Sequence, residues 1–296
     1  MINRCSPILL LLALLLPASV CAQSGDRPKI IFWNMQRHSV DLLIHHVPQR
    51  DADRLAQLKR TFNDLECRGD NLYERPAGGG TNLICKLPGT APPAARETIL
   101  LIAHYEHEGQ GMSAIDNWSG AIMLPFLYHA LAAVPRRHTF IFAEVNGDEG
   151  AKALYRSMPG VDAVVALDAL GLGPLAYYIH HIGSVPTQTE ALLKAALLRA
   201  ADELGRAQPE ASIPGSWFRT DTTREFRYHE IASILIHSVS DSTKHLPGSV
   251  DDTTDRISSD SYFNTYILLC CYVVELDQLP LKLLPAQQQS GSGRRR

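Results

Sequence analysis

Short uninterrupted apolar runs alternate along this chain with longer segments whose apolar residues recur every three or four positions. Thr98 to Ala103, Thr139 to Val145 and Val161 to Leu167 are rich in Ile, Val, Leu and Phe and do not alternate with polar residues. That pattern suits strands buried on both faces at the centre of a parallel sheet. Asn82 to Leu87, Leu175 to Ile182 and Ile231 to His237 read as further strands. Asp51 to Glu66 spaces Leu55, Leu58, Phe62 and Leu65 at helical intervals, and Thr187 to Leu204 is a strong helix with Gly205 at its end. Gly120 to Val134 predicts a helix stopped by Pro135, with Pro125 inside it to kink it or shift its start. Ser258 or Ser259 caps a last helix running to about Leu276. The AGGG stretch at 77–80 forms a turn, and Pro88 to Glu97 a Pro/Ala-rich loop. Strands alternating with helices predict one α/β domain with a mainly parallel sheet.

Composition adds limits. The chain has 296 residues, 45% hydrophobic and 20% charged, enough to bury a full core. A formal net charge of -3, with no Lys/Arg stripe, gives no field for nucleic acid. Arg4, the apolar run Ile8 to Leu16, Pro17 and the small-residue pattern Val20-Cys21-Ala22 read as a signal peptide over 1–22, with Gln23 the first mature residue. The apolar run is too short for a stable membrane anchor. Cys21 raises a lipoprotein alternative, which Val20 fits poorly. The expectation is a soluble monomer exported to the periplasm or beyond, with a domain over 23–280 and a disordered tail over 281–296. In an oxidising compartment Cys67 and Cys85 could bridge, whereas Cys270 and Cys271 lie in an apolar helical run and read as core.

Candidate chemistry sits at the ends of the apolar runs. His104 follows one strand in LLIAHYEHEG, Asp168 another in VVALDALG, Glu149 a third in NGDEGA, and Asp116 lies in AIDNWSGA. In such sheets ligands bind beyond the carboxyl ends of the strands, so these side chains can converge. One imidazole and three carboxylates suit a divalent metal, zinc in particular. Glu106 can orient the His104 ring, and Asp116 has two oxygens with which to bridge two cations. Asp148 beside Glu149 places two carboxylates together, which makes physical sense next to a cation, one ligating and the other taking a proton. His107 and Glu108 read as solvated loop residues.

NLICKLPGT, LLIAHYEHEG, GMSAIDNWSGAIMLPFLYHAL, FIFAEVNGDEGAKAL, VVALDALGLGP and IASILIHSVS resemble, in order and spacing, the bacterial co-catalytic zinc aminopeptidases, secreted exopeptidases related to glutaminyl cyclases. The resemblance covers roughly Asn82 to Leu276. It implies a single three-layer αβα domain, a mixed, mostly parallel sheet of about eight strands, one or two zinc ions and a peptide substrate. By position, His104 and Asp168 would hold one zinc, Asp116 would bridge to a second, Glu149 would ligate that second ion, and Asp148 would be the general base. Trp217, Phe218 and Phe226 fall in the segment that lines the family's side-chain pocket, and Asp221 would contact substrate or a ligand.

Three departures stand out. Glu106 replaces the aspartate that usually follows the first histidine by two positions, and Asp148 replaces a longer glutamate. A gapless alignment of IHSVSDSTKHLPGSVDDTTDRI puts Gly248 where the last histidine ligand belongs, with Asp251 or Asp252 just after and His245 three residues earlier, where a loop shift could bring it in as the ligand. The implied activity is therefore a secreted zinc aminopeptidase with an impaired second zinc site. A weak or inactive peptide-binding relative and a glutaminyl-cyclase-like aminoacyl transferase are the alternatives.

Overall fold

The computed structural model describes residues 37–92, 96–179 and 186–281. The expected signal peptide, residues 282–296 of the expected tail and positions 180–182 of the strand expected from Leu175 lie outside the described residues.

The chain opens with α1 (Arg37–His45) and α2 (Asp51–Asp64), then β1 (Leu72–Ala77), β2 (Gly80–Leu87) and β3 (Thr98–His104). A π-helical turn at Ala114–Trp118 leads into α3 (Ser119–Ala121) and α4 (Met123–Ala132). β4 (Thr139–Val145), α5 (Gly147–Ser157), β5 (Ala163–Leu167) and β6 (Ala176–Ile179) follow. The last part holds α6 (Gln188–Glu203), β7 (Glu210–Ala211), α7 (Arg224–Tyr228), β8 (Ala232–His237) and α8 (Ser259–Asp277). Pro125 is the third residue of α4, inside the first turn, where its missing N–H costs no intrahelical bond; the predicted kink falls one step earlier, as the break between α3 and α4. Thr187 and Glu190 form a reciprocal capping box on α6, and the Ser258 hydroxyl accepts from the Ser261 amide at the start of α8.

Eight strands form one mixed sheet in the order β1-β2-β4-β3-β5-β8-β6-β7. β3, β4, β5 and β8 run parallel at its centre, with His104 opposite Val145 and Leu167 opposite Ile236. Their carboxyl ends therefore share one edge. The pairs β1–β2, β2–β4 and β6–β8 are antiparallel and β6–β7 is parallel, so the sheet is mixed and mostly parallel, as the resemblance implied.

Alternate residues of the central strands feed two cores. Leu101, Ala103, Phe140, Phe142 and Val165 face α2, α4, α6 and α8, and Leu100, Ile102, Ile141, Ala143 and Val164 face α5 and α7. At the edge opposite the carboxyl ends, the Asp277 carboxylate at the end of α8 accepts the Arg137 and His138 amides at 2.8 to 2.9 Å, just before β4. Cys270 and Cys271 are free and buried in α8.

A Cys67–Cys85 disulfide ties the end of α2 to β2 across 18 residues. Closing a loop of that size removes chain entropy from the unfolded state worth about 3 kcal/mol. Replacing both cysteines with alanine should lower the unfolding free energy by about that amount in urea titrations, with little change in the far-ultraviolet circular dichroism.

Candidate metal centre

The site begins with strand ends and is completed by backbone amides. β3 delivers His104, and β5 runs directly into Asp168, whose amide donates to the Ile236 carbonyl at 3.0 Å. Asp116 lies in the π-helical turn, with a cis peptide bond to Asn117. Two buried side chains hold that turn in place. The Asn117 carboxamide donates to the Leu167 carbonyl at 2.9 Å and accepts from the Gly120 and Ala169 amides at 3.0 and 3.2 Å. The Asp252 carboxylate accepts from the Ile115, Asp116 and Gly248 amides at 2.6, 3.3 and 2.7 Å.

The result is a tight group. His104, Asp116 and Asp168 each offer an atom within 4.8 Å of the others, and all three are buried. His104 Nε2 lies 3.2 Å from Asp116 Oδ1 and 3.8 Å from Asp168 Oδ2, close to the separation of ligand atoms around one zinc. Yet both imidazole nitrogens, Asp116 Oδ2 and Asp168 Oδ1 make no aligned hydrogen bond. Buried polar atoms left in that condition are costly. A divalent cation accepting lone pairs from all three residues would satisfy His104 Nε2 and the carboxylate oxygens, leaving Nδ1 to face Glu106, so the donor set fits a metal. Burial works to depress the His104 pKa, but Glu106, Asp116 and Asp168 outweigh it and hold the imidazole well above its usual range. Burial pushes Asp168 up to about 7, against the pull of His104 and with help from the charge on Asp116.

Glu106 sits on the far side of the imidazole, with Oε1 3.1 Å from His104 Nδ1 and Oε2 accepting the Gly147 amide at 2.7 Å. It can orient the ring and ties β3 to the start of α5. The charge on His104, with the amide bonds, outweighs burial and leaves the Glu106 pKa lowered. The Thr220 hydroxyl donates to Glu108 Oε2 at 3.0 Å and lies 3.4 Å from Glu106 Oε1. Glu108 is thus half-buried rather than solvated, and burial followed by the charge on Glu106 raises its pKa.

The other expected ligands are elsewhere. Gly147 to Ser157 forms a helix that carries Asp148 and Glu149, neither of which joins the trio. The Glu149 side chain is 65% exposed and faces Lys152, while Asp148 pairs with Arg224 and accepts the Asp221 amide at 2.8 Å. His245 is exposed on a loop and stands outside the group. Gly248 is no open slot: its φ is +65°, and a Cβ there would lie 2.8 Å from Arg219 Cζ. The Asp221 carboxylate is taken up by Arg227 and Thr223. Phe226 is fully buried against Tyr155 in the core, whereas Trp217 packs on His237 and lines a groove of about 690 Å³.

Three contributors escaped the sequence reading. Arg54 on α2 is fully buried and donates to the Pro48, Tyr105, Glu106 and Met112 carbonyls. Glu144, a lone charge inside an apolar strand, is fully buried, and both its oxygens lack a hydrogen-bond partner. Burial raises its pKa far above the carboxylate range, with His104 opposing. His237, at the end of β8, accepts the Val239 amide on Nδ1 and leaves Nε2 unpartnered.

In zinc titrations, Asp116→Asn and Asp168→Asn should abolish stoichiometric binding, and Glu106→Gln should weaken it about 10- to 100-fold. Glu149→Ala and His245→Ala should leave zinc content unchanged. Burial lowers the His237 pKa to about 4 from 6.5, so the folded state resists a proton that the unfolded chain accepts. Its stabilising contribution is complete above pH 6.5 and should be lost by about 3 kcal/mol as pH falls to 4. In denaturant melts, the unfolding free energy of the wild type relative to His237→Phe should be about 3 kcal/mol lower at pH 4 than at pH 7.5.

Comparison with known proteins agrees with this architecture. In solved structures, the LapA aminopeptidase of Legionella pneumophila superposes with a TM-score of 0.62 at 16% identity, covering 84% of this chain and 71% of that one. A glutaminyl cyclase from an Acidobacteriales bacterium gives a TM-score of 0.64 at 16% identity over 82% of this chain and 94% of its own. The zinc aminopeptidase BSAP of Bacillus subtilis gives 0.57 at 16% identity, and the chain spans half of its length. At these identities the likeness is one of fold. No curated protein matches in sequence. The model of peptidase family M28 does match, over residues 82–271, a span that includes all three gathered ligands, and the chain belongs to that family.

Proposed function

We propose that this protein is an exported, single-zinc peptidase that releases N-terminal residues from peptides. The observation that carries the reading is the buried trio His104, Asp116 and Asp168, with ligand-like spacing and orphaned lone pairs. Zinc held there would supply Lewis acidity toward the scissile carbonyl. Glu106 keeps the His104 ring in place through Nδ1. Asp252 and Asn117 hold the Asp116 turn by its amides and neighbours. Asp148 is occupied by Arg224, so the proton of the attacking water goes to Glu108, a half-buried carboxylate with a raised pKa close to the trio. That proton then passes to the leaving amine. The glutaminyl cyclases share the fold, but the expected second-ion ligands Glu149 and His245 lie outside the gathered group. The Cys67–Cys85 disulfide agrees with an oxidising compartment, and no helix among the described residues is long and apolar enough to cross a membrane.

The test is amino-acid release from short peptides with free amino termini. Chelation should abolish it and one equivalent of zinc should restore it. Glu108→Gln should lower kcat about 100- to 10,000-fold with zinc content intact. A zinc-loaded wild type that binds peptides and never cleaves them would instead make this a peptide-binding member of the family.

A further inference from the structure

Arg219, in the loop before α7, lies in a bed of two glycines. A Cβ on Gly248 would fall 2.8 Å from its Cζ, and one on Gly109 would fall 2.9 Å from its Nη1. Both glycines have positive φ, +65° and +78°, so the backbone itself disfavours any side chain in that space. The two loops are joined, with the Gln110 amide donating to the Gly248 carbonyl at 3.3 Å and the Met112 amide to that of Asp252 at 2.8 Å. The bed is also close to the trio. The Gly248 and Asp116 amides bond to the same oxygen, Asp252 Oδ2, at 2.7 and 3.3 Å, which keeps them within about 6 Å of each other.

Nearby arginines are engaged: Arg224 by Asp148 and Arg227 by Asp221. Arg219 makes no hydrogen bond or ion pair with a described residue, although Glu108 is next to Gly109 in the chain. Glu108 is held by Thr220 instead. An unpaired, exposed guanidinium lying over these two glycines matches the geometry of a carboxylate, which it can bind through two parallel bonds.

We infer that Arg219 binds the C-terminal carboxylate of the substrate, which makes dipeptides the preferred class. This rests on the peptidase reading above. One residue beyond the scissile bond spans about 3.3–3.6 Å, and an arginine–carboxylate contact adds about 2.7–2.9 Å. The proximity of Gly248 to the Asp116 backbone admits a guanidinium one residue beyond a bond cleaved at the trio, whereas a longer peptide carries its carboxylate past it. In the reaction, water oxygen joins the acyl carbon, the C–N bond breaks, and the second amino acid leaves with the proton on its amine and its carboxylate still on Arg219.

The experiment compares Leu-Gly with Leu-glycinamide on zinc-supplemented protein, reading binding by calorimetry and leucine release separately. Wild type should hold the free acid about 10- to 100-fold more tightly than the amide, the range set by a charged hydrogen-bonded pair. Arg219→Gln should bring that ratio close to one, and Arg219→Lys should restore part of it. Equal affinity of the wild type for acid and amide, no binding of either, or an equal loss for both in Arg219→Gln would overturn the inference. A carboxylate preference without leucine release would leave it standing and remove the hydrolase reading, while release without preference would do the reverse.

Discussion

A buried guanidinium organises the functional edge of this protein. Arg54 reaches from α2 under the loop that follows β3 and donates to three of its carbonyls, those of Tyr105, Glu106 and Met112. It also lies 5.9 Å from the Trp118 ring, beside the turn that carries Asp116. Removing such a charge from water is costly, and burial lowers its pKa to about 10. The carbonyls, with the charges of Asp51, Glu106 and Asp252 nearby, offset that cost. Glu106 can brace His104 because the backbone beneath Glu106 is fixed from below.

Around that anchor the site is built by carboxylates with different tasks. Asp116 and Asp168 keep oxygens free, whereas Asp252 spends its oxygens on three amides, and Asp148 and Asp221 are neutralised by arginines. Acidic residues are therefore divided between those that hold the fold and those left open to a cation. The departures from the two-ion arrangement that the resemblance implied are geometric. α5 turns Glu149 to solvent, and a positive-φ glycine under an arginine stands where a histidine was expected. The exposed guanidinium of Arg219 lies over that glycine.

Much of this was legible because apolar runs mark buried strands. The runs ending at Ala103, Val145 and Leu167 announce three parallel neighbours, and a polar residue directly after such a run has only one edge to occupy. His104 and Asp168 follow from that logic. Asp116 needed the IDNWSGA pattern, since its position is set by Asn117 and Asp252 rather than by a strand. What stayed hidden depends on three-dimensional closure. Whether Asp148 and Glu149 point inward is decided by the phase of a helix that starts at Gly147, and no periodicity in so short a polar stretch reports that phase. β1 was missed because LYERPA is an edge strand, charged and proline-bearing, with one buried residue. Arg54 looked like one more charge on an amphipathic helix, because three of its four carbonyl partners lie more than fifty residues downstream.

The helix that contributes most to the larger core is also the last of the described elements to be made. α8 brings Tyr262, Tyr266, Leu269 and Tyr272 against α4 and α6, and only at its final residue, Asp277, does it take the amides at the entrance to β4. A nascent chain that has already produced every described strand still lacks the cover for the outer faces of α4 and α6. That layer stays open until about residue 277 is free to pack, so order arrives late and together, not from the amino terminus forward. Ribosome-bound fragments that stop before α8 would show the apolar faces of α4 and α6 to chaperones, and a chain extended through α8 would hide them.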